Sequence, residues 1–170
     1  GVGKTTIAKA VYNQLHHNFD GACFLGDVKN SASNELNGLV HLQEKLLKDT
    51  FKSSKIVLQN VAEGITQVRR RLHHKKVLLI LDDVNDMEQL NALARSRDWF
   101  GEGSRIIITT RDQHLLEILK VDAVCTVDEM SRTEALELFS WHAFDNTCPC
   151  EDYYQLSESV VEYCGGLPLA

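Results

Sequence analysis

The sequence predicts an α/β fold, an open parallel sheet followed by the start of a small helical domain, and three observations carry that expectation. Continuous apolar runs, above all Val77-Leu78-Leu79-Ile80-Leu81, read as parallel strands covered on both faces. They alternate with segments whose apolar residues recur at helical spacing. The chain also opens on Gly1-Val2-Gly3-Lys4-Thr5-Thr6, the second half of a G-x-x-x-x-G-K-[ST] phosphate-binding loop. The first glycine of that loop, and the strand that feeds it, would precede residue 1. The sheet is therefore expected to lack its first strand, and the chain to be an internal piece of a longer protein.

Taken in order, Thr5 to about Leu15 reads as a helix with Ile7, Val11 and Leu15 on one face at i, i+4, i+8. Ala22-Cys23-Phe24-Leu25 is expected to be a short buried strand, and the polar stretch Asn30 to Asn37 a loop. A helix follows from about Gly38 to Lys48 on Leu39, Leu42 and Leu46, then another marked by Val61, Ile65, Val68 and Leu72. Its end is the basic run Arg69-Arg70-Arg71 and His73-His74-Lys75-Lys76. Cations in a last turn offset the helix dipole, and no aromatic residues interleave them for base stacking, so the run reads as a solvated helix end.

The strand Val77–Leu81 stops at Asp82-Asp83, and Asp86 caps a short helix burying Met87, Leu90 and Leu93. Trp99-Phe100-Gly101 turns the chain into a second buried strand, Ile106-Ile107-Ile108, which opens into Thr109-Thr110-Arg111-Asp112. A helix over Gln113 to Leu119 leads to a further short strand expected near Ala123 to Val127. After Asp128 the pattern changes. Ser131-Arg132-Thr133-Glu134 is a capping box starting a helix with Ala135, Phe139 and Ala143 on one face. A second helix, about Asp152 to Cys164, is expected to turn Leu156, Val160 and Cys164 inward before Gly165-Gly166 stops it. The expected domains are thus 1–128, α/β, and 129–170, helical.

Composition narrows the function classes. A chain of 170 residues can bury about two-thirds of its unfolded surface. Net charge is −6, which argues against a nucleic-acid surface, and no apolar run approaches the ~20 residues that span a bilayer. Five scattered cysteines suit a reducing compartment better than a disulfide framework. Cys148-Pro149-Cys150 lacks the second pair a zinc site needs and reads as an exposed loop between helices.

The chemistry-bearing residues fall at strand ends, where open α/β sheets bind ligands. Gly1, Val2, Gly3, Lys4, Thr5 and Thr6 would surround phosphate oxygens, with Lys4 reaching the β- and γ-phosphates and the Thr5 hydroxyl offered to Mg²⁺. The run Leu78 to Asp83 is a Walker B pattern: Asp82 would hold Mg²⁺ through water, since that ion keeps much of its hydration shell, and Asp83 would orient or deprotonate an attacking water. Arg111 would sense γ-phosphate, although an ion pair with Asp112 or Asp82 explains it as well. The fold class is that of a P-loop NTPase sheet, and the residues themselves imply Mg²⁺-dependent binding of a purine nucleoside triphosphate.

These motifs together resemble the nucleotide-binding NB-ARC domain of plant disease-resistance proteins, intracellular receptors with leucine-rich repeats. The matching stretches are Gly1–Thr6, Lys76–Val84, Gly103–Arg111, Glu134–Phe139 and Gly166-Leu167-Pro168-Leu169-Ala170. Phe24-Leu25-Gly26-Asp27-Val28, Gly38-Leu39 and Leu42-Gln43-x-x-Leu46-Leu47 are similar to the branch carrying an N-terminal TIR domain. Asn85 stands where that branch usually has Asp and the other has Trp, and it is nearer Asp in size and polarity.

The resemblance implies a switch, resting with ADP and active with ATP, reset by slow hydrolysis. It implies Pro168 near the adenine and Arg111 on the phosphates. It further implies contacts with TIR and leucine-rich-repeat domains, a homo-oligomer in the active state, and a cytoplasmic location, with the nucleus a second compartment for the full receptor. From charge and hydropathy, no nucleic acid or membrane is expected as partner. The competing expectations are a nucleotide-binding oligomerisation scaffold without useful hydrolysis, a small-molecule kinase, and a DNA-bound regulator with a similar core.

Overall fold

Three parallel strands lie in the order β1 (Gly21–Leu25), β2 (Val77–Val84), β3 (Arg105–Thr110) in the computed structural model, which describes residues 1–33, 37–53 and 55–169. Gly21 to Leu25 pair with Val77 to Leu81, and Leu78 to Leu81 pair with Arg105 to Ile108. Every residue from Val77 to Leu81 is 0% exposed, as a central parallel strand requires. β1 instead alternates, burying Gly21, Cys23 and Leu25. Six helices flank or follow these strands: α1 (Lys4–Leu15), α2 (Val28–Ser33), α3 (Gly38–Phe51), α4 (Val61–Leu72), α5 (Met87–Leu93) and α6 (Gln113–Leu119). Two more, α7 (Arg132–Phe144) and α8 (Tyr154–Cys164), come last. The chain divides into two bodies, Thr5–Val124 and Gly1–Lys4 with the stretch from Cys125 onward.

In the first body the core gathers Leu42, Leu46 and Leu47 of α3, Val68 and Leu72 of α4, and Leu90 and Leu93 of α5 around the sheet. One polar side chain is embedded in it. Gln43 is 0% exposed, and its Nε2 donates to the carbonyls of Val61 at 3.1 Å and Ala92 at 2.9 Å, tying three helices together. Gly64 leaves room for that amide, since a β-carbon there would lie 1.8 Å from Gln43 Oε1. The expected cap at Asp86 is present, accepting from the Glu88 N–H at 2.7 Å.

Three expectations need correction, and the apolar face of α1 stays largely uncovered. α1 buries only Ala8, while Ile7 is 48% and Leu15 37% exposed, because periodicity marks an apolar face but not whether a neighbour covers it. The loop expected over Asn30 to Asn37 begins as helix α2: Val28 is fully buried, and the Asp27 carboxylate, on a residue at φ +50°, accepts from the Asn30 backbone and side-chain N–H groups. Asn34, Glu35 and Leu36 lie outside the described residues. Ile106, Ile107 and Ile108 are half-buried rather than buried, since β3 is an outer strand of the sheet. The strand expected near Ala123 to Val127 is irregular chain, exposed from Ala123 to Thr126; β propensity depends on a partner strand and does not make a strand by itself.

The second body is a helix pair. The Ser131 capping box forms in full, and Gly165 ends α8 at φ +59°. The buried face of α8 differs from the one expected. Ser140, Ser157 and Val161 turn inward, Leu156 is 62% exposed, Val160 and Ala143 are exposed, and Ala135, Phe139 and Cys164 are half-buried. Both serines are small and bond back to a carbonyl four residues earlier, Ser140 Oγ to that of Leu136 and Ser157 Oγ to that of Tyr153, just before α8. Burying them therefore leaves no hydroxyl unsatisfied. Cys148 and Cys150 are exposed free thiols between the helices, as expected of a loop.

Candidate functional site

In the first body the start of α1 meets the carboxyl end of β2. The Thr5 hydroxyl donates to the Asp82 carboxylate, 3.0 Å from Oδ1 and 2.9 Å from Oδ2. Asp82 is 3% exposed. Among the described residues it has hydroxyl donors and no cation within ion-pair distance. A buried carboxylate with only neutral partners is an energetic liability that a hard cation relieves. Two facing oxygen donors, one hydroxyl and one carboxylate, suit Mg²⁺, which takes few protein ligands and fills its octahedron with water and phosphate. No group of three or more His, Cys, Asp or Glu with metal-site geometry occurs among the described residues, so the softer multi-ligand metals have no candidate there.

β2 runs past Leu81 through both acids to Val84, further than its apolar run predicts. The register explains how. Leu81 pairs with Ile108 and Val84 with Thr110, so Asp82 and Asp83 together face Thr109 alone. This is a β-bulge, and Asp83 takes φ +56° within it. Asp is among the residues that tolerate that region best. The bulge sends the two carboxylates to different surroundings: Asp82 inward, Asp83 half-exposed. Arg111, its side chain 81% exposed, lies with Nε 3.8 Å from Asp83 Oδ1. A pair so exposed stabilises by at most ~1 kcal/mol and leaves the guanidinium mobile. Of the partners weighed from sequence, Asp82 and Asp112, neither is the one Arg111 meets.

Gly1 to Lys4 belong to the second body, with Pro168. Gly3 holds φ +91°, a conformation glycine adopts freely, and a β-carbon there would come 3.9 Å from Pro168 Cγ. A β-carbon on Gly1 would come 3.1 Å from Leu169 Cδ1. Val2 and Lys4 are half-buried and Thr6 is exposed. Ala170 lies outside the described residues.

Thr109 was missed by sequence reasoning as a site residue. Its hydroxyl donates to Asp82 Oδ1 at 2.7 Å and accepts from the Asp83 N–H at 2.9 Å. The only signal was a pair of threonines closing an apolar strand, which does not say which acid either would meet. The basic run keeps its solvated character, with Arg69, Arg70 and Arg71 exposed and Arg69 3.8 Å from Asp98. Cys23 offers no nucleophile: burial first, then the neighbouring Asp49, pushes its thiol well above the ordinary range.

The NB-ARC domain family matches residues 1–148. Disease resistance protein RUN1 of Vitis rotundifolia is 44% identical across the whole chain, which covers 13% of that relative. Disease resistance protein RPV1 of the same species is 42% identical across the whole chain, covering 12% of its length. TMV resistance protein N of Nicotiana glutinosa is 44% identical, again across the whole chain and 15% of the relative. The chain thus spans about one-seventh of the length of these relatives. No helix among the described residues is long and apolar enough to cross a membrane.

Proposed function

This chain belongs to the NB-ARC domain family, and on that premise we propose that it is the ADP/ATP switch of a plant immune receptor, resting with ADP, active with ATP and reset by slow hydrolysis. The observation that carries the reading is the buried Asp82 carboxylate joined to the Thr5 hydroxyl at the carboxyl end of β2. Thr5 and Asp82 would hold Mg²⁺, which supplies neutralisation of phosphate charge when bound. Lys4 neutralises β- and γ-oxygens, and Gly1, Val2, Gly3 and Thr6 supply the backbone N–H groups and the helix start that face the anion. Asp83 orients a water, or takes its proton on a carboxylate oxygen. Arg111 moves from Asp83 to the γ-phosphate, where a guanidinium makes charge-assisted bonds. Pro168 packs near the adenine.

The nucleotide inverts a 1:99 equilibrium only if its affinity for the two states differs by ~5.5 kcal/mol. Several charge-assisted bonds, each on the order of 1.5–3 kcal/mol, reach that scale. The reading places the nucleotide-binding α/β domain at residues 1–128 and the helical one at 129–170. It puts the receptor in the cytoplasm, in the TIR-type branch on the strength of Phe24–Val28 and Asn85, with TIR and leucine-rich-repeat domains as intramolecular partners and a homo-oligomer in the active state.

A second reading has its own observation. Asp83 faces Arg111, so its carboxylate already serves an ion pair. On that ground the chain would be a nucleotide-binding scaffold that oligomerises without useful turnover. Asp83→Ala separates the two: the switch reading expects hydrolysis to fall at least tenfold with binding retained, the scaffold reading no change. The prior test is to denature the purified full receptor and identify released nucleotide by chromatography, beside Lys4→Ala. ADP released by the wild type and absent from Lys4→Ala is the expected result. A folded wild type that releases none overturns the resting-ADP state.

A further inference from the structure

We propose that Thr109 is the positioning residue of this site, its hydroxyl deciding which oxygen of Asp82 is offered to a divalent cation and holding Asp83 in its left-handed conformation. The inference rests on the nucleotide-site reading for its consequence, but its geometry stands without it.

The roles at the hydroxyl are forced by chemistry. The Asp83 N–H can only donate, so Thr109 Oγ1 accepts there, at 2.9 Å. The Asp82 carboxylate can only accept, so the same hydroxyl gives its single proton to Oδ1, at 2.7 Å. A backbone donor thus polarises the hydroxyl whose proton rests on the carboxylate, and each bond strengthens the other. In the bulge, where two residues of β2 face one of β3, the Thr109 side chain accepts the bond from the unpaired Asp83 N–H. A carboxylate otherwise turns easily about its last torsion. Here Oδ1 takes the Thr109 proton, while the proton of Thr5 is shared between Oδ1 and Oδ2. Once Thr5 turns to a ligand, Oδ2 is the oxygen left open and Oδ1 stays held. The same hydroxyl fixes the amide of Asp83, and so the direction in which that carboxylate meets Arg111. Threonine suits the task because its β-branch keeps χ1 stiff as well as supplying the hydroxyl.

Thr109→Val keeps the shape and loses both bonds; Thr109→Ser keeps the bonds and loses the stiffness. The measurement is affinity for N-methylanthraniloyl-ADP across an Mg²⁺ titration and in EDTA, with amide exchange at Asp83 followed in the nucleotide-free proteins. In Thr109→Val the Mg²⁺ midpoint is expected to rise roughly tenfold, the lower end of what partners behind a metal ligand contribute. Affinity in EDTA should stay at the wild-type value, and Asp83 exchange should quicken at least tenfold. Thr109→Ser should return both readings to within about threefold of wild type. An unchanged midpoint in a folded Thr109→Val overturns the proposal, and so does unchanged Asp83 exchange, whether or not nucleotide binds. If the valine variant does not fold, Thr109→Ala is read in the same way. Loss of binding by the wild type itself, with Asp83 still protected only when the hydroxyl is present, would instead strike the nucleotide reading and leave the positioning role standing.

Discussion

From Thr5 to Val124 the chain buries a continuous apolar cluster around β2, whereas from Cys125 onward the buried apolar residues among the described ones are Pro149 and Val161 alone. Charge divides the same way. Thr5–Val124 carries 16 Lys and Arg against 15 Asp and Glu, while the other body has Lys4 and Arg132 against nine acids. A sheet covered by α3, α4 and α5 removes whole side chains from water, each contributing about 1.5–3 kcal/mol. Two helices cannot do this, and Leu156, Tyr163 and Trp141 remain 62%, 94% and 50% exposed. The contrast teaches that the first body makes its own core, while the second depends on local devices such as its capping box.

The largest expected effect tests the first half of that contrast. Leu79→Ala, at a fully buried position of β2, should cost about 3–4 kcal/mol, read as a shift in the urea midpoint. A loss below about 1 kcal/mol would mean that the sheet body is loosely packed, and the contrast would fail. Next comes the capping box. Ser131→Ala removes a hydroxyl that accepts from the Glu134 N–H and donates to its carboxylate, and should cost about 1 kcal/mol, seen as lost helicity.

That box also sets a pH dependence. The Ser131 hydroxyl, then the Ser131 backbone N–H, holds the Glu134 carboxyl below its ordinary value. A depressed carboxyl stabilises the fold above its unfolded pKa, and that contribution disappears as pH falls through the folded one. Acid should therefore unwind the start of α7, and Ser131→Ala should weaken the acid dependence, as followed by circular dichroism. The smallest effect sharpens the other half. Leu156→Ser, on an exposed face, should move stability by no more than about 0.5 kcal/mol. A cost near that of Leu79→Ala would show this face to be covered in solution.

Much of the site was legible because its motifs are local. Gly1–Thr6 and the hhhhDD run identify Thr5 and Asp82 by residue type and spacing, and the structure brings those two together across 77 residues of chain. Arg111 was legible as a cation at a strand end, but not its partner: Asp83 rather than Asp82 or Asp112. Thr109 escaped because its meaning lies in a register shift, and no local pattern announces that two residues of one strand will face one of another. The same limit explains α8, where Leu156 and Val160 had the more apolar face and the small Ser157 faced inward instead.

The sequence by itself determined the family, the alternation of strand and helix, the caps at Asp86 and Ser131, and the candidate phosphate and metal residues. These follow from interactions among residues a few positions apart, or from residue types that one chemistry requires. Only the tertiary structure decided which apolar faces are covered, that Ala123 to Val127 forms no strand, and that one hydroxyl on β3 holds both acids of β2. Those outcomes depend on what lies across the sheet or beside the helix, and burial and register are properties of pairs of elements rather than of either one.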